Sequence, residues 1–365
     1  MITIPVEVKL RPYSALIEHG LLARAGVLLH DLLPAGSRLF VITVAPVRRK
    51  WGKKLMTSLA AAGFDAKMLD MPEGERFKRL ATVEAMAEKL SSLGADRNAT
   101  ILAFGGGVCG DVAGFLASMY MRGVELVQIP TTVLAQVDAS VGGKTGVNLK
   151  AGKNLIGAFW QPRAVLIDPG VLSSLPEREY RAGLYEALKC GVIGNPDLFA
   201  EFERNRDKIA KRDPATVERL IAESVRLKAH VVSVDEKENG LRQVLNFGHT
   251  IGHALEAETG YRNLLHGEAV AWGMIAAAEV AAGVGKLADA EALRIREATR
   301  AIGRLPGLDV KPKNIVRRLQ SDKKTRNGRV HFVLPTEIGK VEIVSDVPES
   351  VVLAAVEEIR ELSRG

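Results

Sequence analysis

Over the first 176 residues, β-branched apolar runs alternate with helical stretches, and this restricts the chain more than any other feature. SRLFVITV at 37–44, ATILAFGGGV at 99–108, VELVQIPTT at 124–132 and AVLIDP at 164–169 read as buried strands, with the amphipathic RLATVEAMAEKLSSLG at 79–94 between the first two. Strands separated by helices build βαβ units, and such units build a parallel sheet. After LPERE at 175–179 the texture becomes almost wholly helical to about 325. A short strand pair, RVHFVLP at 329–335 and KVEIVSD at 340–346, and a last helix from Glu349 to Leu362 follow. The expected architecture is an α/β N-terminal Rossmann-like domain with a parallel sheet over 1–176 and a mainly α-helical C-terminal domain over 177–365.

Composition narrows the function. At 365 residues and 47% hydrophobic, the chain can bury a large core. Its formal charge of +7 is spread over RRKWGKK at 48–54, RDKIAKR at 206–212 and DKKTRNGR at 322–329, with only 5% aromatics. That pattern reads as solvated surface and argues against a nucleic-acid partner. The two cysteines, Cys109 and Cys190, make no disulfide framework and suit a reducing compartment, so a cytoplasmic location is expected. MITIPVEVKLRPY lacks the apolar run of a secretory leader. The most apolar helical stretch, Ala269 to Val284, carries Glu279 and falls short of the ~20 residues a membrane span needs, so it reads as a core helix.

Several short motifs carry chemistry. FGGGVCGD at 104–111 ends a strand and opens a helix, an arrangement that lets backbone approach a pyrophosphate or simply makes a tight turn. Thr131 and Thr132 end the next strand and point at the same crevice. DASVGGKTG at 138–146 resembles a P-loop, but Asp138 stands where that loop needs its first glycine. Its Gly142, Gly143, Lys144 and Thr145 still suit an anion. LNFGHTIGHALE sets His249 and His253 four residues apart on one helix face, right for a metal and equally right for a buried polar pair. HGE at 266–268 opens another helix, and YEALKCG gives Glu186 and Lys189 at i, i+3. Two imidazoles and one carboxylate with an open position make a catalytic zinc site.

In their order, GERFK at 74–78, GGGVCGD, IPTTVLAQVDASVGGKTGVN, KNLIGAFWQP, AGLYEALKCG, LNFGHTIGHALE, LLHGEAVA and DKK at 322–324 resemble the 3-dehydroquinate synthases, over about residues 70 to 340. The resemblance implies NAD and one divalent metal, zinc with cobalt as the alternative, and an active site in the cleft between the two domains. It implies Glu186, His249 and His266 as metal ligands and His253 as the proton-transfer residue. Around NAD it places Glu75, Lys78, Gly107, Val108, Cys109, Gly110, Asp111, Thr131, Thr132, Asp138, Lys144 and Lys153, with Leu172, Ser173 and Ser174 at the nicotinamide end. Lys144, Asn154, Arg122 of a neighbouring subunit and Lys324, one of the Lys323/Lys324 pair, fall where the family holds the substrate phosphate, and Lys189, Lys228, Arg242 and Asn246 where it holds the carboxylate and hydroxyls. The implied substrate is an anionic sugar phosphate, and the implied assembly a homodimer without nucleic-acid or membrane partners. Departures are Cys190, where the family usually has tyrosine, and VITVAPVRRKW, which lacks an Asp or Asn after its strand for the adenosine ribose. Relatives that cyclise other sugar phosphates, and metal-dependent polyol dehydrogenases of similar architecture, are the alternatives.

Overall fold

A computed structural model describes residues 1–325 and 330–364 of the chain and, of 321–325, the backbone alone. Two compact units form, one from Met1–Pro176 with Val217–Lys237, the other from Glu177–Thr216 with Glu238–Gly365.

The first unit is built on a seven-stranded sheet. In chain order its strands are β1 (Ile2–Val6), β2 (Tyr13–Ile17), β3 (Arg38–Thr43), β4 (Ala66–Asp70), β5 (Ala99–Gly105) and β6 (Glu125–Pro130), then, after a separate hairpin of β7 (Lys144–Leu149) and β8 (Gly152–Phe159), β9 (Ala164–Ile167). Their spatial order is β1-β2-β9-β6-β5-β3-β4, and every pair but β1 with β2 is parallel. The four apolar runs of the sequence are β3, β5, β6 and β9. They sit in the middle of the sheet because both faces are covered: Phe40 and Ile42 enter one apolar cluster, Leu39 and Val41 the other. From β3 onward the parallel strands have the doubly wound order 2-1-3-4-5, which puts the topological switch between β3 and β5.

The second unit is organised by helix His266–Gly283, the Ala- and Gly-rich stretch, which is buried along most of its length. It packs against helices Glu177–Gly194, His249–Glu258, Asp289–Ala301 and Glu349–Leu362, with a hairpin of β10 (His331–Glu337) and β11 (Lys340–Ser345) beside it. Backbone meets backbone at these crossings. A methyl group at Gly267 would overlap the Ala182 carbonyl oxygen, one at Gly273 would overlap that of Gly248, and one at Gly252 would lie 2.9 Å from that of Ala269. These approaches draw together the helices that carry Glu186, His249 and His266. Among the described residues no helix is long and apolar enough to cross a membrane.

Gly273→Ala should therefore destabilise this unit by about 1–3 kcal/mol, the usual cost of overpacking where the clashing atom is backbone. Thermal unfolding of the variant reads this directly. An unchanged midpoint would show that the two helices do not meet at Gly273.

Candidate active site

In a 2-1-3-4-5 sheet the ligand crevice lies beyond the carboxyl ends of the strands at the switch point. FGGGVCGD occupies that position. Helix Gly107–Met119 starts directly after β5, so the N–H groups of Gly107, Val108 and Cys109 lack intrahelical acceptors, whereas that of Gly110 donates to Gly106 O at 3.0 Å. Gly110 also allows close packing, since a Cβ there would lie 2.9 Å from Gln128 Oε1. The Cys109 thiol donates to Ile42 O at 3.4 Å, and burial pushes its pKa up to about 12, so the side chain packs and only its backbone is left for a ligand. Across the crevice, Thr131 N–H donates to Gly105 O at 2.9 Å, and its buried hydroxyl has no hydrogen-bond partner among the described residues. An orphaned buried hydroxyl at a strand end fits a missing ligand atom.

A polar network flanks this turn. The buried Lys78 ammonium contacts Asp111 and donates to Asn154 Oδ1 at 2.5 Å. Burial holds the Asp111 carboxyl above its ordinary range, with Lys78 opposing it. Glu75 accepts from Asn148 Nδ2 at 2.7 Å. Lys153 is partly buried next to Asn154 in β8. Lys228, on the segment that returns to this unit, donates to both Asp138 O and Asp138 Oδ1 at 2.6 Å.

GGKTG is a turn into a hairpin. Gly142 and Gly143 have φ of 97° and 67°, Gly142 N–H donates to the Tyr13 hydroxyl at 2.9 Å, and Lys144 is the exposed first residue of β7. No helix follows the lysine, as a P-loop requires. The 3-10 turn Pro169–Ser174 carries Leu172, Ser173 and Ser174 and is set by Asp168, whose carboxylate accepts from the N–H groups of Gly20, Leu22 and Gly170. Ser174 Oγ accepts from Trp51 Nε1 at 2.8 Å. In place of a ribose-binding acid after β3, Arg48 follows and donates to Asp70 Oδ2 at 2.8 Å. Met121 and Arg122 both have left-handed backbone, φ 51° and 68°. Two consecutive non-glycine residues in that region mark strain of the kind kept at functional sites.

In the second unit, three side chains from three helices converge. Glu186 Oε1 lies 3.6 Å from His249 Nε2 and 3.5 Å from His266 Nε2. Ligands about 2.0–2.1 Å from a tetrahedral ion stand ~3.3 Å apart, close to this spacing. Both Glu186 carboxylate oxygens are buried and receive no aligned hydrogen bond among the described residues, although the Lys189 ammonium lies 2.5 Å from Oε2. A buried, poorly satisfied carboxylate facing two imidazole nitrogens fits a cation. His249 Nδ1 is 3.1 Å from Phe247 O, which makes it the donor nitrogen and leaves Nε2 its lone pair; burial, then the Lys189 charge, holds this imidazole neutral well below the usual pKa. His253 joins the cluster from the exposed side, and the donor atoms of the three histidines lie within 4.8 Å of one another.

Supporting residues appear that spacing did not point to. His266 Nδ1 is 3.4 Å from buried Glu256 Oε2. Glu268 accepts from Leu265 N–H at 2.7 Å and is gripped by Arg178, fixing the start of the helix on which His266 sits. Asn246 donates to Oε1 of Glu238, itself left-handed at φ 61°. Arg242 is fully buried. The Lys324 side chain lies outside the described residues.

A doubly wound unit with a dinucleotide-type crevice, together with a helical unit bearing two imidazoles and a buried carboxylate that face one another, defines a class of dinucleotide- and metal-dependent enzymes. Sequence comparison narrows it: residues 68–182 match the profile of the 3-dehydroquinate synthase N-terminal region and 183–325 that of its C-terminal region. A 3-dehydroquinate synthase from Koribacter versatilis is 56% identical over 360 residues, covering 99% of this chain and 98% of its own length. The chain belongs to the 3-dehydroquinate synthase family. Among solved structures, 2-epi-5-epi-valiolone synthase from Streptomyces hygroscopicus with NAD⁺ and Zn²⁺ bound superposes with a TM-score of 0.87 at 32% identity, covering 97% of this chain and 98% of the other. A 2-deoxy-scyllo-inosose synthase complexed with carbaglucose-6-phosphate, NAD⁺ and Co²⁺ also reaches 0.87, at 27% identity and coverage of 98% and 99%.

His249→Ala should abolish retention of zinc by the purified protein. Glu256→Ala should keep the ligands but weaken zinc by about 10–100-fold, since it removes the carboxylate behind one imidazole. Competition with a chromophoric chelator measures both, and stoichiometric zinc in His249→Ala would end the metal assignment.

Proposed function

We propose that the chain converts 3-deoxy-D-arabino-heptulosonate 7-phosphate to 3-dehydroquinate and phosphate. The route is transient oxidation, phosphate elimination, reduction, ring opening and intramolecular aldol closure, within the shikimate route to aromatic amino acids. One observation carries the reading: the Glu186, His249 and His266 cluster sits in a chain that is 56% identical, over 99% of its length, to a 3-dehydroquinate synthase. The absence of a membrane-spanning helix among the described residues and two buried free cysteines support a cytoplasmic location.

Glu186, His249 and His266 would hold the divalent ion, zinc or cobalt. The N–H groups at the start of helix Gly107–Met119, the Thr131 hydroxyl and the Glu75, Lys78 and Asp111 network would hold NAD. When bound, NAD⁺ supplies the acceptance and return of a hydride, and the ion supplies Lewis acidity at the hydroxyl being oxidised.

The chain's own groups do the remaining work. Lys144 and Asn154 fix the substrate phosphate, and Lys189, Lys228, Arg242 and Asn246 orient its carboxylate and hydroxyls, because an anion charged at both ends needs cations at both ends. His253, on the exposed side of the cluster, exchanges the hydroxyl proton at a ring nitrogen.

Phosphate release from the heptulosonate phosphate, followed with absorbance at the NADH band, tests the reading. Phosphate should appear without lasting NADH. No phosphate, or accumulating NADH, would overturn the proposal, the latter in favour of a polyol dehydrogenase; phosphate released from another sugar phosphate instead would favour the other cyclases. His253→Ala should retain its metal and lose roughly 10²-fold or more in kcat.

A homodimer in which Arg122 serves the neighbour's phosphate site is the proposed active form. Its support is the strained, exposed Met121–Arg122 turn, with exposed Met119, Leu155 and Phe159 in the same unit and Trp160 packed against Gly123. Arg122→Ala and His249→Ala, each inactive alone, should on mixing recover up to about a quarter of wild-type activity, because half of the hybrid dimers' sites carry neither change. No recovery, with subunit exchange shown, would place Arg122 in its own subunit's site.

A further inference from the structure

Hairpin β7–β8 contains a bulge in which three residues of β8, 153–155, stand against Asn148 alone on β7, and Asn148, the last residue of the VGGKTGVN stretch, has been given no role above. Pairing runs from Lys144 with Phe159 to Val147 with Ile156, then shifts register, so that Leu149 faces Gly152 and Asn148 has no ladder partner. Bulges re-aim side chains, and the backbone N–H, Nδ2 and Oδ1 of Asn148 are each engaged outside the ladder. Its own N–H donates to Lys78 O at 2.8 Å, its Nδ2 donates to Glu75 Oε1 at 2.7 Å, and its Oδ1 accepts Asn154 N–H at 2.8 Å.

The last bond has a conformational effect. Asn154 has φ 54°, a left-handed backbone that costs a residue with a side chain unless something fixes it. Held there, Asn154 turns its Oδ1 to the Lys78 ammonium, which also contacts Asp111. The Asn148 side-chain amide thus bridges Glu75, assigned above to the cofactor, and Asn154, assigned above to the substrate phosphate, while its backbone N–H holds the Lys78 carbonyl.

We propose that Asn148 is a positioning residue that sets both groups at once: through Nδ2 it orients Glu75 for NAD, and through Oδ1 it fixes Asn154 for the phosphate. This rests on the functional reading given above. The two halves separate by substitution. Asn148→Asp keeps an acceptor for Asn154 N–H but cannot donate to Glu75 and sets two carboxylates against each other. Asn148→Ala loses both contacts.

NAD binding is measured by calorimetry on the full-length wild type and both variants, with KM for the heptulosonate phosphate and the melting temperature alongside. Asn148→Ala should raise the NAD Kd and the KM each by roughly tenfold or more, as for loss of a hydrogen bond to a charged group or its partner. Asn148→Asp should raise the NAD Kd similarly and leave KM within about threefold. If Asn148→Ala unfolds, the nearly isosteric aspartate variant still gives the split. The proposal falls if the aspartate variant binds NAD as wild type does, or if its KM rises with its Kd. Wild type that binds NAD but releases no phosphate would sink the functional reading, while the calorimetric comparison would still decide the role of Asn148.

Discussion

Helix His266–Gly283 reaches two neighbours at backbone distance only because Gly267 and Gly273 carry no side chain, and the rest of the second unit is arranged around that approach. A helix apolar on all sides needs burial everywhere, which an Ala- and Gly-rich surface achieves by bringing main chains together. The result is chemical as well as structural. Side chains as short as Glu186 and His249 span a common point only when the helices bearing them run this close. Glu268 and Arg178 then fix where His266 begins, and Glu256 fixes how its ring is turned.

The first unit solves a different problem with loops. Its candidate ligand residues sit on turns that start or end strands: FGGG after β5, Thr131–Thr132 after β6, the Asp168-capped turn after β9 and the GGK turn ahead of β7. Asp168 accepts three backbone N–H groups from two segments, so a single buried carboxylate fixes the position of the Leu172–Ser174 turn relative to Gly20. Tyr13 does the same for Gly142. Rigid supports of this kind allow loops to hold a ligand with the precision of regular structure.

What could be read from the sequence follows from how each part is stabilised. β3, β5, β6 and β9 were legible because strands buried on both faces are written as continuous apolar runs, and helix Glu349–Leu362 because its apolar residues keep helical spacing. β4, AKMLD, is short and mixed, and the β7–β8 hairpin is rich in glycine and charge; both owe their pairing to backbone bonds that leave no pattern in side chains. The return of Val217–Lys237 to the first unit is equally silent in sequence, since the whole of Pro214–Val234 keeps one helical periodicity. The His249 and His253 pair showed itself by its spacing. Glu186 and His266 come from other helices, and only the family resemblance joined them to it. Glu238, Glu256 and Asn148 act through other side chains, and no local pattern distinguishes such a residue from a solvated one.

The Glu186 carboxylate has a consequence for the energetics of the whole chain. Its oxygens are buried and poorly satisfied by the surrounding groups, with two imidazoles and one ammonium beside it. An ion held there, as proposed, would offset that deficit, and an ion that binds the folded form alone adds stability in proportion to the logarithm of its concentration. On that proposal the stability of the helical unit would depend partly on the supply of free metal. Scarcity of the ion would then shorten the life of the folded chain as well as slow its turnover.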